Sequence, residues 1–278
     1  MPSNREAYFE ALKLDVPKSI IEFALKEVNG FTNLDLTKYF DEPIRDYPFF
    51  KNAIERYING EMIEYVFKKT YFLSCPFTVN KNVLIPRQET EQLVLSTIEK
   101  IKSIFNDEMI TIADICTGSG CIGLSIAKAL PNNRYYLIDI SKEAIAVAKE
   151  NAKNLFDNHK NISFFLGDML TPLINKKVDV IVCNPPYIEK IEEIDKRTWE
   201  QEPHLALLAT PSTYFYEELL KNYQSIVDEK YLIGFEIGED MENLLIPLIE
   251  KYCPNSSYTF EKDMYGKTRF LFIMNSGI

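Results

Sequence analysis

Between residue 4 and about residue 67, apolar residues return at intervals of three and four. Tyr8 and Leu12, then Ile20, Phe23, Ala24 and Val28, then Phe50, Ala53, Ile54 and Tyr57 form stripes of helical period. Asn29-Gly30 and the Asp41-Glu42-Pro43 break read as helix ends. The spacing predicts a small helical bundle over residues 1–68, with Tyr47, Phe49 and Phe50 in its core. Residues 69–85 carry short apolar runs around turn residues and predict a hairpin, so that 69–87 forms a linker. From residue 88 onward the pattern changes. Short β-branched runs near 110, 135, 162, 179 and 231 alternate with amphipathic segments starting near 89, 121, 142 and 241. Such alternation predicts an α/β domain over 88–278 built on a parallel sheet. The last two runs, 257–260 and 269–273, are joined by a loop too short for a crossover helix, so they must be antiparallel neighbours.

At 278 residues and 46% hydrophobic content, the chain is long enough for one full α/β core beside a small extra unit. No apolar run approaches a membrane span, and the first residues lack a secretory leader. The five cysteines include no Cys-x-x-Cys pair, which favours reduced thiols in a cytoplasmic protein over disulfides or a metal centre. The net charge of −10 weighs against duplex DNA, whose binders neutralise phosphates with Lys and Arg.

Two strand ends carry the chemistry. The run 109–115 leads into Cys116-Thr117-Gly118-Ser119-Gly120, and a helix opens at Cys121. The glycines permit a tight turn and close approach of a ligand to backbone N–H groups. The next run, 134–139, ends on Asp139, where a carboxylate can take both hydroxyls of a ribose. Gly118, Gly120 and Gly123 also spell the G-x-G-x-x-G dinucleotide fingerprint, so a nicotinamide dehydrogenase is the rival reading. Against it, Asp114 in the first strand suits a cationic ligand better than a pyrophosphate, and His159 and His204 are the only histidines. S-adenosylmethionine carries an ammonium and a sulfonium and no phosphate, and fits this pattern better. The run 178–183 stops at Asn184-Pro185-Pro186-Tyr187. Two prolines cannot continue a ladder, and they hold Asn184 in extended geometry with carbonyls free to accept hydrogen bonds. That is an acceptor site for a planar NH2 group, with a ring to cover it.

In this order, the Gly-rich loop, Asp139 and Asn184-Pro185-Pro186-Tyr187 resemble a class I S-adenosylmethionine-dependent methyltransferase acting on a planar nitrogen. Three further segments resemble the HemK/PrmC family of peptide chain release factor glutamine N5-methyltransferases. Ile85-Pro86-Arg87-Gln88-Glu89-Thr90-Glu91, reached from Phe77-Thr78-Val79 through a turn at Asn80-Lys81-Asn82, is similar to its Ile-Pro-Arg-Pro-Glu-Thr-Glu, with Gln88 for the second proline. Asp263-Met264-Tyr265-Gly266-Lys267-Thr268-Arg269 resembles its Asp-x-x-Gly-x-x-Arg. Glu202-Pro203 with Leu205-Ala206-Leu207 resembles its Glu-Pro-x-x-Ala-Leu, the alanine standing one place early. The resemblance covers most of the chain beyond about residue 55.

The resemblance implies a Rossmann-like, mostly parallel seven-stranded sheet with one antiparallel strand, preceded by a helical domain that grips the substrate. It implies methyl transfer from S-adenosylmethionine, leaving S-adenosylhomocysteine, onto the glutamine of the Gly-Gly-Gln loop in class I release factors. A ribosomal-protein glutamine and, further off, a DNA adenine would suit the same four residues. A cofactor-binding module without catalysis is disfavoured by the intact nitrogen site. Asn184, Pro185, Pro186 and Tyr187 would hold the target amide, with Asn184, Pro185 and Tyr187 catalytic. Asp114, Cys116, Thr117, Gly118, Ser119 and Gly120 would face the methionine part of the cofactor and Asp139 its ribose. Asp168 is either an acceptor for the adenine amine, with Met169 packed on the ring, or a helix cap. The resemblance places Pro86, Arg87, Glu89, Thr90 and Glu91 near the active site, although Glu89 and Glu91 also suit a first helical turn, and Arg269 is a partner for a carboxylate in the C-terminal hairpin.

Overall fold

The computed structural model describes residues 1–106 and 108–277, which divide into two compact units, Met1–Lys69 and Thr70–Ile278. The first unit holds five helices: α1 (Asn4–Leu12), α2 (Lys18–Asn29), α3 (Asn33–Lys38), α4 (Tyr47–Ile58) and α5 (Ile63–Phe67). Their ends follow local chemistry. Ser3 and Glu6 form a capping box on α1, Thr32 and Asp35 another on α3, and Asp46 caps α4. Gly30 ends α2 at φ 72°, the left-handed geometry of a helix stop. Ala7, Ile21, Leu25, Phe50, Ala53 and Ile54 build the unit's core, as the periodicity predicts. Phe49 departs from that expectation. It is 39% exposed, because one residue before Phe50 it stands about 100° off the buried face of α4.

The second unit opens with a hairpin of β1 (Lys69–Phe72) and β2 (Cys75–Thr78). The expected hairpin over 69–85 is therefore shorter. Its turn is Leu73-Ser74, both with positive φ (47° and 61°), a geometry that neither residue type advertises in sequence. Asn80-Lys81-Asn82 is a separate turn, in which the Asn80 side chain accepts the Asn82 N–H.

Then follow α6 (Gln88–Phe105), β3 (Thr111–Ile115), α7 (Cys121–Ala129), β4 (Arg134–Asp139), α8 (Lys142–Leu155), β5 (Ile162–Leu166), β6 (Val180–Cys183), α9 (Lys196–Gln201), α10 (Tyr214–Asn222), β7 (Lys230–Glu236), α11 (Glu242–Tyr252), β8 (Ser257–Lys262) and β9 (Thr268–Ser276). Seven strands make one sheet in the order β5-β4-β3-β6-β7-β9-β8. Strands β3 to β7 are parallel, and β9 runs antiparallel to both β7 and β8. This is the class I methyltransferase sheet. The central strands are buried on both faces, which is why they read as unbroken apolar runs. Ala113, Ile115, Ile181 and Cys183 enter one core layer with α10 and α11. Ile112, Val180 and Val182 enter the other with α6 and α7.

Strand order reverses between β3 and β6, since the chain winds outward through β4 and β5 and then returns to the other side. The loops leaving these two neighbours diverge, and the gap at their carboxyl ends is where such sheets take ligands. Ile115 pairs with Cys183, so the Gly-rich loop and Asn184-Pro185-Pro186-Tyr187 start side by side.

Candidate active site

Two cavities meet at those strand ends. The first, about 260 Å³, is lined by Cys116 to Ser119, Asp139, Asp168, Met169 and Asn184, with Ile122, Ile138 and Ile140 as apolar wall. The second, about 220 Å³, is lined by Asn184 to Ile188, Thr198, Leu207 and Glu236. Leu84, Arg87, Asn184, Pro186 and Ala206 belong to both. Asn184 thus stands in the wall between them.

The loop of the first cavity is held in uncommon backbone geometry. Cys116, Gly118 and Gly120 have φ of 58°, 55° and 82°. A side chain added at Gly118 would meet no atom within 4 Å, so the backbone there faces open space. Cys116 and Met169 are non-glycine residues in the left-handed region, and their sulfurs lie 3.9 Å apart across the cavity wall. Such strain persists where surrounding structure imposes it, often at ligand sites.

Asp114 sits beneath this loop and not on the cavity wall. Its Oδ2 accepts the Thr117 hydroxyl (2.5 Å) and the Gly123 N–H (2.9 Å), while Oδ1 is buried without a hydrogen-bond partner. Burial pushes its carboxyl up to about 7, against the pull of those two donors. Asp114 shapes the loop that lines the first cavity. Gly123 must be glycine for the same contact, since a Cβ there would come within 2.9 Å of Oδ2. Asp139 closes the other side. Its oxygens accept the Gly118 N–H (2.8 Å) and the Ser141 N–H (2.9 Å), and the residue lines the cavity. Burial raises its carboxyl too, with the backbone amides opposing.

The alternatives left open for Asp168 now separate. The nearby 3-10 turn Thr171–Leu173 is capped at Leu170, so Asp168 is no helix cap, and its exposed side chain lines the cavity. Glu91 is also placed: its carboxylate accepts the Leu73 N–H at 2.8 Å and secures the hairpin turn, away from both cavities.

The segments around 86 and 203 meet in space. The buried Glu202 carboxylate accepts from Arg87 (2.6 Å) and from the Ile85 N–H (3.3 Å), fixing Pro86 and Arg87 on one wall and Pro203 on another. Arg269 finds its carboxylate in Asp263 (3.5 Å), whose Oδ1 also accepts the Tyr265 and Lys267 amides. The Arg269 guanidinium also donates to the Ile237 carbonyl at 3.5 Å, tying the C-terminal hairpin to the end of β7.

Thr90, which the resemblance puts near the site, lines the first cavity, and Glu236, a polar residue of the second, escaped the sequence reading. The Thr90 hydroxyl donates to Glu236 Oε2 at 2.6 Å, and Asn184 Nδ2 lies 3.5 Å from Thr90 Oγ. For Glu236 a signal existed, a carboxylate closing a parallel strand just as Asp139 does.

The first cavity's lining tests the candidate cofactors. Among the described residues Arg87 is the one cation on it, against Asp139 and Asp168, so a pyrophosphate finds little neutralisation. An adenosine bearing a cationic tail fits: carboxylates for hydroxyls and positive charge, backbone N–H groups for a carboxylate, isoleucines and Met169 for a flat ring.

Comparison with known proteins agrees. A family model described as the methyltransferase small domain matches residues 90–201. A release factor glutamine methyltransferase of Bacillus anthracis is 35% identical over 228 residues, 80% of each chain. Another, of Staphylococcus aureus, is 30% identical over 282 residues, 98% of this chain and 99% of that one. A crystal structure of a methyltransferase from Pyrococcus furiosus shares the fold, with a TM-score of 0.52 at 16% identity over 73% of this chain and 89% of that one.

Proposed function

We propose, starting from the fact that this chain belongs to the release factor glutamine methyltransferase family, that it methylates the side-chain N5 of the glutamine in the Gly-Gly-Gln loop of release factors. The single observation that supports this reading is Asn184 in the wall between a cofactor-sized cavity and a narrower polar one. Cys116 to Gly120, Asp139, Asp168 and Met169 would hold S-adenosylmethionine in the first. When bound, that cofactor supplies a methyl group already activated on a sulfonium.

The protein's task lies with the nucleophile, because an amide lone pair is delocalised into its carbonyl. The Asn184 Oδ1 and the Pro185 carbonyl would accept the two N–H hydrogens of the target amide and aim its nitrogen at the first cavity. Both acceptors gain strength as positive charge develops on that nitrogen, which is where stabilisation lowers the barrier. A proton leaves afterwards, so no strong base is needed. Tyr187, on the second cavity's wall, would close it over the amide and exclude water.

A DNA adenine offers a similar NH2 group, yet a chain with net charge −10 has no surplus of cations for a phosphate backbone. Among the described residues no helix is long and apolar enough to cross a membrane.

The test is Asn184→Ala. Calorimetry should find S-adenosylmethionine bound within about twofold of the parent, while single-turnover transfer falls about a hundredfold or more, the scale of a lost charge-stabilising group. Loss of cofactor binding in parallel would sink the role given to Asn184.

A further inference from the structure

We propose that Glu236 is a positioning residue for this transfer: acting through Thr90, it fixes which end of the Asn184 carboxamide faces the substrate. The inference rests on the activity proposed above and deepens it.

The argument is one of donors and acceptors. Glu236 ends β7, is 3% exposed and lines the second cavity with Asn184 and Tyr187. An ionised carboxylate can only accept. The single Thr90 hydroxyl hydrogen is therefore committed to Glu236 Oε2, at 2.6 Å. That leaves Thr90 Oγ as an acceptor toward its other neighbour, Asn184, whose Nδ2 stands 3.5 Å away. Glu236 thus reaches Asn184 through the Thr90 hydroxyl. With its NH2 group turned to Thr90 Oγ, Asn184 has its oxygen left for the substrate. The orientation matters because the target is itself an NH2 group. An Asn184 turned the other way would set donor against donor in a buried pocket, where unmatched polar groups are costly.

A protonated Glu236 could donate to Thr90 Oγ. The Thr90 hydroxyl would then be free to donate to Asn184 Oδ1, and the carboxamide would turn. The groups that set this proton are all at hand. Burial pushes Glu236 up to about 6, helped by Glu89 and opposed by the bond from Thr90, the charge of Arg269 and the nearby Asn184 amide. Tyr187 and Cys121 face the same carboxylate as neutral groups. Tyr216 donates to the backbone carbonyl of Glu236 at 2.8 Å and holds the strand end in place.

The experiment combines Glu236→Gln, Thr90→Val and Thr90→Ser, each with a pH profile of transfer to release factor and a cofactor titration. In the parent, kcat/KM should fall below a midpoint near pH 6. A glutamine at 236 can donate to Thr90, so Glu236→Gln should lose about a hundredfold at neutral pH, the cost of a misaligned group. It should also lose the acidic limb and keep cofactor affinity. Thr90→Val should match it, and Thr90→Ser, which keeps the hydroxyl, should stay within about threefold of the parent. In substrate-free protein the Asn184 side-chain NH2 resonance, assigned from its absence in Asn184→Ala, should titrate with the same midpoint and stop doing so in Glu236→Gln. Parental rates in Glu236→Gln, an acidic limb that persists in it, or an Asn184 signal indifferent to pH would each overturn the proposal. A parent that transfers nothing to release factor would instead contradict the substrate, leaving the resonance titration to decide on Glu236.

Discussion

Three carboxylates close parallel strands or sit one turn beneath their ends, and all three pay for burial in the same sense. Asp114, Asp139 and Glu236 are each held above the ordinary carboxylate range by desolvation. For such a group the folded state binds more protons than the unfolded state between the unfolded and the folded pKa. Its stabilising contribution is therefore complete below the unfolded value near 4 and is lost as pH rises through the folded one. For Asp114 that window runs from about 4 to about 7. Urea unfolding should show a parent less stable at pH 8 than at pH 5, and Asp114→Asn should shrink that difference. An unchanged difference would mean that Asp114 is not the buried anion described. Legibility at this scale depended on position. Asn184 and Asp139 could be read because a strand end is visible in sequence as the place where an apolar run stops. The resemblance puts Thr90 near the site but not its partners: Glu236 lies 146 residues away and Asn184 94, and nothing local to a helix start marks contacts so distant. Asp114 could be read as important, although not as a support beneath the loop, since that depends on which way β3 turns its side chains.

Among the elements, the strands that form the site were the most legible. β3 and β6 are buried on both faces, so composition alone marks them. Ile181, at the middle of β6, is fully buried between Ala113 and Ile233 on the neighbouring strands. Ile181→Ala should cost about 2–5 kcal/mol of stability, measurable as a drop in the denaturation midpoint. On the role proposed for Asn184, which follows the end of β6, it should also weaken transfer. A change below about 0.5 kcal/mol would place the residue outside a packed core. Helix α10 escaped the sequence reading. It opens at Tyr214-Phe215-Tyr216 behind a loop with Pro211, and an aromatic cluster after a proline does not signal a helix start. Only packing of Tyr216, Leu219 and Leu220 on the sheet makes it one. The hairpin turn was misplaced for a related reason, as a left-handed Leu73-Ser74 pair is set by the two strands and by the Glu91 carboxylate beneath it.

At the scale of the molecule, the chain divides its labour. Both cavities and the whole sheet belong to Thr70–Ile278, while Met1–Lys69 has its own core. A chain starting near residue 68 should therefore keep S-adenosylmethionine affinity within a fewfold, as expected of a domain with an independent core. Its KM for intact release factor should rise much more than its kcat falls, if the helical unit grips the substrate away from the reacting glutamine. Equal KM values for the full and shortened chains would remove that role. The measurement that bears most directly on the whole account is peptide mass spectrometry of release factor after incubation with the enzyme and S-adenosylmethionine. The expected result is one added methyl on the Gly-Gly-Gln glutamine, absent when Asn184→Ala replaces the parent. A methyl on another residue, or one that Asn184→Ala still installs at the parental rate, would contradict the account.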